Sequence, residues 1–372
     1  MSNKNNIIEI NIKGAKPKPY NILIGSNLFE TLALELKNSQ LAYKYAVVSD
    51  SNVSKLYFKK LQEAFNKEGL SCLLITIPAG EKSKNRKNKE LIEDTMLENG
   101  MARDSAIIAL GGGVVGDIAG FAASTYNRGI PYIQYPTSLV ACVDSSIGGK
   151  TAIDTKHGKN LIGSFYQPGK VYIDINTLTT LKKQEIREGL AEIIKYGIIY
   201  DADFFDYISD NISEIFNYDM DVLNKIIKRS CEIKGFVVEN DEKESNLRKI
   251  LNFGHTVGHA VEQLSGYSIS HGGAISIGMV IEAQIAAKSS ILNIESVKMI
   301  NEIFSSAGLP TELKSNVDRS KIIETMKLDK KARKGNIEFA LPKKIGEMYK
   351  DNESYGIKIE ENLIKEVIDL SK

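Results

Sequence analysis

Between residues 45 and 110 short apolar runs alternate with amphipathic stretches, and few architectures accommodate that rhythm. YAVVSD (45–50), LSCLLITIP (70–78) and SAIIAL (105–110) read as strands. VSKLYFKKLQEAFNKEG (53–69) and KNKELIEDTMLENG (87–100) read as the helices between them. Such an order implies a parallel sheet flanked by helices, and IPYIQYP and GKVYIDI supply later strands of it. Past residue 176 the texture changes. LKKQEIREGLAEIIKYGIIY (181–200) carries Leu181, Ile186, Leu190, Ile193 and Ile194 at helical spacing. DVLNKIIKRSCEIKGFVVEN, HTVGHAVEQL, AISIGMVIEAQIAAKSS and ENLIKEVIDLS continue the helical pattern, and only GNIEFALP (335–342) looks extended. With 372 residues to pack, two domains are expected, the boundary falling at 176–180.

Composition excludes several classes of function. The net charge of +1 offers no basic field for nucleic acid or a membrane surface, so neither is expected as a partner. The basic clusters near residues 16 and 85 read as solvated loops or helix faces. Three scattered cysteines, Cys72, Cys142 and Cys231, suit a reducing compartment and form no C-x-x-C zinc pair. Neither a signal peptide nor a spanning apolar run is visible, which makes the cytoplasm the expected location.

SAIIALGGGVVGDIAGFAAS sets glycines between a strand and a helix, with Gly111, Gly113 and Gly116 in G-x-G-x-x-G spacing. Residues without a Cβ let a backbone approach a pyrophosphate, and a helix N-terminus offers unpaired N–H groups to it. A tight turn with close helix–sheet packing is the competing explanation. The acidic residue of the usual dinucleotide fingerprint is missing downstream, where GIPYIQYP stands. Asp50, ending YAVVSD, is placed to hold a ribose hydroxyl instead.

Of four histidines, His255, His259 and His271 fall within 17 residues. His255 and His259 are one helical turn apart, so they share a face, either as a ligand pair or with separate tasks. The REGLAEIIKYG segment offers Glu188 and Glu192 as further ligands, with Lys195 on the same side. Imidazoles plus a carboxylate, without thiolate, suit zinc or a similar divalent ion with a position open for substrate. Thr256, Val257 and Gly258 between the first two histidines disfavour a metalloprotease. The stretch 143–169 is read as a cationic loop in which Lys150, Lys159 and Asn160 bind phosphate and hydroxyls. Lys234, Arg248 and Asn252 are expected on faces near the histidines, and Arg248, Asn252, His255 and His259 follow one polar stripe, pointing to an anionic ligand.

In family order the chain carries GGGVVGDIAGFAAS, PTSLVACVDSSIGGKT, GKNLIGSFYQP, EGLAEIIKYG, DEKESNLRKILNFGHTVGHAVE, HGGAISIGM and MKLDKKARKGNIEFALP. On these stretches it resembles the 3-dehydroquinate synthase family of sugar-phosphate cyclases. The resemblance implies an α/β N-terminal nucleotide-binding (Rossmann-like) domain, residues 1–176, and a mostly α-helical C-terminal metal-binding domain, residues 177–372. It implies NAD, one divalent metal (zinc or cobalt), a phosphorylated sugar-acid substrate and a homodimer. The implied reaction turns 3-deoxy-D-arabino-heptulosonate 7-phosphate into 3-dehydroquinate and phosphate, on the shikimate route to aromatic compounds. Transient oxidation, phosphate elimination, re-reduction, ring opening and aldol closure follow one another, with no net redox change.

Carried over by position, the resemblance makes Glu192, His255 and His271 the metal ligands. NAD would meet Asp50, Glu81, Lys84, Gly111, Gly112, Gly113, Gly116, Asp117, Thr137, Ser138, Lys150, Lys159, Thr177, Leu178, Thr179 and Thr180. Substrate would meet Asp144, Lys150, Lys159, Asn160, Lys195, Lys234, Arg248, Asn252, His259 and Lys330, with Arg128 reaching a phosphate in the neighbouring subunit. Glu244 and His259 match the proton-transfer residues, and Lys150, Lys195, Arg248 and Asn252 complete the implied catalytic group. The chain departs from the family pattern at Asp154-Thr155, where Asn-His is usual, at Lys182 and Gln184, and at Gly273. His157 is read as a surface residue. A cyclase making an aminocyclitol precursor and a metal-dependent alcohol or glycerol dehydrogenase are the rival enzymes.

Overall fold

The computed structural model describes residues 19–314, 317–328 and 337–371. Its first half runs β1 (Asn21–Gly25), α1 (Leu28–Ser39), β2 (Lys44–Asp50), α2 (Lys59–Lys67), β3 (Cys72–Ile77), α3 (Arg86–Glu98), β4 (Ser105–Gly111) and α4 (Gly113–Thr125). It continues with β5 (Tyr132–Pro136), β6 (Lys150–Thr155), β7 (Gly158–Phe165) and β8 (Lys170–Asp174). Six of these strands form one parallel sheet in the order β1-β8-β5-β4-β2-β3. β4 is buried along its whole length, as a strand covered on both faces must be. Alternate residues serve opposite faces. Ala46, Val48, Ile107 and Ala109 join a core with residues of α3 and α4, while Tyr45, Val47, Ile108 and Leu110 join another with α1 and α2. The helices following the neighbouring strands β2 and β4 therefore leave on opposite faces, which opens a crevice at the strands' carboxyl ends.

Two features extend the pattern read from the sequence. β1 and α1 precede the first expected strand, and 150–165, expected as a loop, forms the antiparallel hairpin β6–β7. The hairpin's short alternation is masked in the sequence by its Gly, Lys and Asn content.

The second half is helical: α5 (Lys183–Tyr200), α6 (Ala202–Asp210), α7 (Ile212–Phe216), α8 (Met220–Asn240), α9 (His255–Leu264), α10 (His271–Lys288), α11 (Ile294–Ser306), α12 (Ile322–Leu328) and α13 (Glu361–Leu370). Where GNIEFALP alone looked extended, four strands of two or three residues appear: β9 (Glu338–Phe339), β10 (Pro342–Lys344), β11 (Glu347–Met348) and β12 (Ile357–Lys358). α10 is buried without interruption from Gly272 to Ala283 and is apolar all round, the mark of a central helix. α9 lies so close to it that a Cβ on Gly258 would sit 3.0 Å from Ala274 O. That contact fixes the histidine-bearing helix against the core. No helix of the described residues is long and apolar enough to cross a membrane.

Candidate active site

Three helices of the second half converge on one small polyhedron. Glu192 from α5, His255 from the start of α9 and His271 from the start of α10 bring one ligand atom each to within 4.8 Å of one another. Glu192 Oε1 lies 3.5 Å from His255 Nε2 and 3.3 Å from His271 Nε2. Its Oε2 meets Lys195 Nζ at 2.5 Å as an ion pair, without hydrogen-bond geometry. Burial opposes the charge of Glu192, yet Lys195 and the two histidines hold its carboxyl well below the usual range. Burial and Lys195 press the His255 imidazole down to about 3, leaving it neutral, as a ligand must be. Desolvation opposes the charge on His271, whose side chain is 38% exposed, but Glu192 and Glu262 outweigh it and carry the imidazole up to about 10. His255 Nδ1 sits 3.1 Å from Phe253 O, a contact that orients the ring.

Glu188, the other candidate of the α5 segment, is engaged elsewhere: it accepts the Gly272 N–H at 2.5 Å and so caps α10. Glu282 does the same for α9, accepting from Gly254 N at 2.7 Å and Val257 N at 3.1 Å. His259 lies one turn beyond His255, with ring centroids 5.3 Å apart, and does not join the three-atom cluster.

Around this cluster stands a wall of cations and amides. Lys150 pairs with Glu244, which also accepts from Asn252 Nδ2 at 2.6 Å. Lys234 contacts Asp144 Oδ1 at 2.7 Å and the Asp144 carbonyl, and Tyr196 OH donates to the same carboxylate at 2.7 Å. The buried Arg248 gives Nη1 to Glu242 O at 2.6 Å and Nη2 to Gly148 O at 3.2 Å, while its Nε is buried with no hydrogen-bond partner among the described residues. Arg248 carries five N–H donors, so part of the fork remains for an anion. The turn 241–248 that presents it is tied by Asp241, which accepts from Ser245 N, Asn246 N and Arg248 N.

At the sheet's crevice Asp50 and Gly111 end adjacent strands, Ser49 pairing with Leu110. α4 begins at Gly113 with no capping side chain, so its first N–H groups face the crevice. Gly111 and Gly116 are set by packing: a Cβ on Gly111 would meet Val115 Cγ2 at 2.6 Å, and one on Gly116 would meet Gln134 Oε1 at 2.7 Å. On Gly113 it would meet Ser145 Oγ at 2.9 Å, and on Gly112 Ser138 Oγ at 3.3 Å. The competing explanation of the glycines, close packing, thus holds for most of the string. Thr137 N donates to Gly111 O at 3.0 Å, and Ser138 Oγ accepts from Ala141 N at 3.3 Å, so both line the same turn. Asp50 Oδ1 accepts from Asn52 N and Val53 N. Lys84 is buried and donates to Asp117 Oδ2 at 2.7 Å, with Glu81 at 3.8 Å. Lys159 reaches Glu262 Oε1 at 2.8 Å and lies 3.9 Å from Glu81. Thr177 and Thr180 hold Tyr57 OH, Thr179 bonds Asn176 O, and Leu178 is wholly buried in the core.

Two expected contacts fall outside this assembly. Arg128 is exposed at the far end of the 13-residue α4, ~20 Å from the helix N-terminus, and is not brought to the crevice of its own chain. Lys330 lies outside the described residues. Asn160 is on the hairpin, its N–H donating to Asp154 Oδ1 at 2.9 Å, while Asp154 N donates to Lys84 O at 2.7 Å. The Asp154 departure therefore keeps the loop closed, and His157 is exposed. Glu262 and Tyr196 are site residues that the sequence reading missed. Both sit inside helical runs whose periodicity advertises packing alone.

Family models for the 3-dehydroquinate synthase N-terminal and C-terminal regions match residues 74–188 and 189–332. The chain is 47% identical over 334 residues to the 3-dehydroquinate synthase of Caldanaerobacter subterraneus subsp. tengcongensis, covering 90% of this chain and 94% of that one. It superimposes on 2-deoxy-scyllo-inosose synthase complexed with carbaglucose-6-phosphate, NAD+ and Co2+ with a TM-score of 0.86 at 27% identity, over 94% of this chain and 96% of that one. With the 2-epi-5-epi-valiolone synthase of Streptomyces hygroscopicus subsp. jinggangensis, bound to NAD+ and Zn2+, the TM-score is 0.87 at 25% identity, over 97% and 99% of the chains. Those enzymes share the layout, but the identity runs far higher to the first relative, and this chain belongs to the 3-dehydroquinate synthase family.

Proposed function

We propose that this chain converts 3-deoxy-D-arabino-heptulosonate 7-phosphate to 3-dehydroquinate and phosphate, with NAD and one divalent ion, zinc or cobalt, as recycled cofactors. The observation that carries the reading is the joining of a Glu–His–His set to a wall of lysines and Arg248. The residues fit both groups. One buried carboxylate and two imidazoles converge on a point, and the uncapped end of α4 opens beside Asp50 at the sheet's crevice. When bound, the two supply reversible hydride uptake from a carbinol and polarisation of its oxygen.

The remaining work falls to the chain's own side chains. Glu192, His255 and His271 hold the ion, and the α4 N-terminus with Thr137 and Ser138 receives the pyrophosphate. Arg248 and Asn252 take the substrate carboxylate, a preference that sets the enzyme apart from cyclases acting on sugars that lack one. Lys150, Lys159, Asn160 and Lys234 gather around phosphate and hydroxyls, stabilising charge on the leaving group. Elimination needs a proton taken from carbon and one delivered toward phosphate; Glu244 and His259 are the residues assigned to hold them. We assign residues 1–176 and 177–372 to the two domains, and a cytoplasmic homodimer to the working form. The position of Arg128 supports the dimer, since an exposed arginine remote from its own crevice suits the partner's.

The test is turnover of the heptulosonate phosphate with catalytic NAD+, following phosphate and dehydroquinate with and without chelator. Chelator-sensitive release of both products is expected. Phosphate release indifferent to chelator, or NADH accumulating one for one with substrate, refutes the reading and favours a dehydrogenase.

A further inference from the structure

Glu262 belongs to none of the assigned groups, yet it stands where two of them meet. Its side chain, 9% exposed, lies on α9 between the metal cluster and the hairpin. Oε2 is 3.5 Å from His271 Nδ1, the ring nitrogen that faces away from Glu192, and Oε1 accepts from Lys159 Nζ at 2.8 Å. Lys159 is held in turn over the Tyr267 ring at 4.7 Å, and it lies 3.9 Å from Glu81 at the edge of the nucleotide crevice. One carboxylate thus spans a helix of the second half and a hairpin of the first. A histidine bound to metal through one nitrogen needs a fixed acceptor at the other, and such acceptors set ring orientation and tautomer. Here that acceptor has a second arm on a lysine beside the cofactor.

We infer that Glu262 is a positioning residue that ties His271 to Lys159, so that metal binding and nucleotide binding reinforce one another through it. The inference rests on the cofactor assignment above. If His271 holds the ion through the nitrogen that faces Glu192, its Nδ1–H would donate to Glu262 and fix that carboxylate. The locked carboxylate holds Lys159 toward the crevice, lowering the ordering cost of nucleotide binding there. Reciprocity requires the nucleotide to tighten metal by the same factor.

Two variants test this in the full-length chain. Glu262→Gln keeps the shape but not the charge, and Lys159→Met removes the second arm at a partly exposed position. Zinc affinity is read by competition with a chromophoric chelator, and NAD+ affinity by calorimetry on metal-free and zinc-loaded protein, with circular dichroism confirming the fold. In the wild type, zinc is expected to tighten NAD+ by about 5-fold or more. Glu262→Gln should weaken zinc by about 10–100-fold and bring the zinc effect on NAD+ to within about 2-fold. Lys159→Met should abolish the same coupling while zinc affinity shifts by less than about 3-fold. Zinc affinity of Glu262→Gln equal to wild type, or coupling that survives either substitution, overturns the inference. A wild type that binds both ligands without coupling also overturns it, whereas one that binds neither refutes the cofactor assignment instead.

Discussion

Replacing His255 and His259 separately by alanine is the sharpest test of how the helix turn divides its work. His255 is one of three donors whose atoms lie within 4.8 Å, and its ring is pre-oriented by Phe253 O at 3.1 Å. A structural zinc site is worth about 10–16 kcal/mol over four ligands, so one ligand accounts for roughly 2.5–4 kcal/mol, about two to three decades in Kd. His259 has its ring centroid 6.3 Å from that of His271 and stands outside the three-atom cluster. Its loss should leave the zinc Kd within roughly 3-fold of wild type. If it transfers protons, turnover should nonetheless fall by about 10²–10⁴-fold. Zinc competition against a chelator gives the first quantity, and phosphate release at saturating zinc gives the second. His259→Ala losing zinc as severely as His255→Ala would place His259 among the ligands and end the argument for separate tasks. His259→Ala with normal turnover would remove it from the chemistry.

Three further outcomes follow from the same geometry. Glu192 and Lys195 are 1% and 2% exposed and pair at 2.5 Å, so Glu192→Gln takes the ion-pair partner from a buried ammonium. The metal-free variant should lose roughly 3–5 kcal/mol in urea unfolding, and a loss below about 1 kcal/mol would show that the pair is not needed for folding. Gly116→Ala pushes a Cβ to 2.7 Å from Gln134 Oε1, while Gly112→Ala comes no closer than 3.3 Å to Ser138 Oγ. Thermal unfolding should therefore report about 1–3 kcal/mol for the first and much less for the second, with calorimetry showing the larger NAD+ defect in Gly112→Ala; equal stabilities would refute the packing argument. Burial pushes the Asp241 carboxyl up, but the N–H groups of Asn246, Ser245 and Arg248 outweigh it and hold the group at about 2. A value depressed by folding contributes above the unfolded value near 3.9 and is lost as pH falls toward 2, so Asp241 supplies roughly 2 kcal/mol at neutral pH. Asp241→Asn should remove that increment and flatten the stability profile between about pH 4 and 2; an unchanged acid limb in urea titrations at each pH would contradict this.

The layered fold was legible because periodicity is local. Tyr45, Val47, Ala46 and Val48 alternate between two cores, and that alternation can be counted in the chain itself. β1 was not legible: its five residues are half-exposed and, among the described residues, pair with β8 alone, about 150 positions away, so little nearby in the sequence announces it. The hairpin hid for a related reason, since Leu161 and Phe165 point outward and leave the usual inside–outside contrast reversed.

For the site, composition found the histidines but could not rank the carboxylates. Glu188 and Glu192 are one turn apart on α5, and spacing gives both the same claim on a metal. What separates them is a helix more than 70 residues downstream, because the N-terminus of α10 at Gly272 needs an acceptor and Glu188 is the one in reach. Glu192, a turn deeper, is left facing His255, His271 and Lys195. The same helix start explains why Glu262 went unseen: its partners, His271 and Lys159, come together only once α10 and the hairpin are in place. Ligand identity here is decided by which carboxylate the backbone has already claimed, and that claim is a property of the packed helices rather than of any one segment.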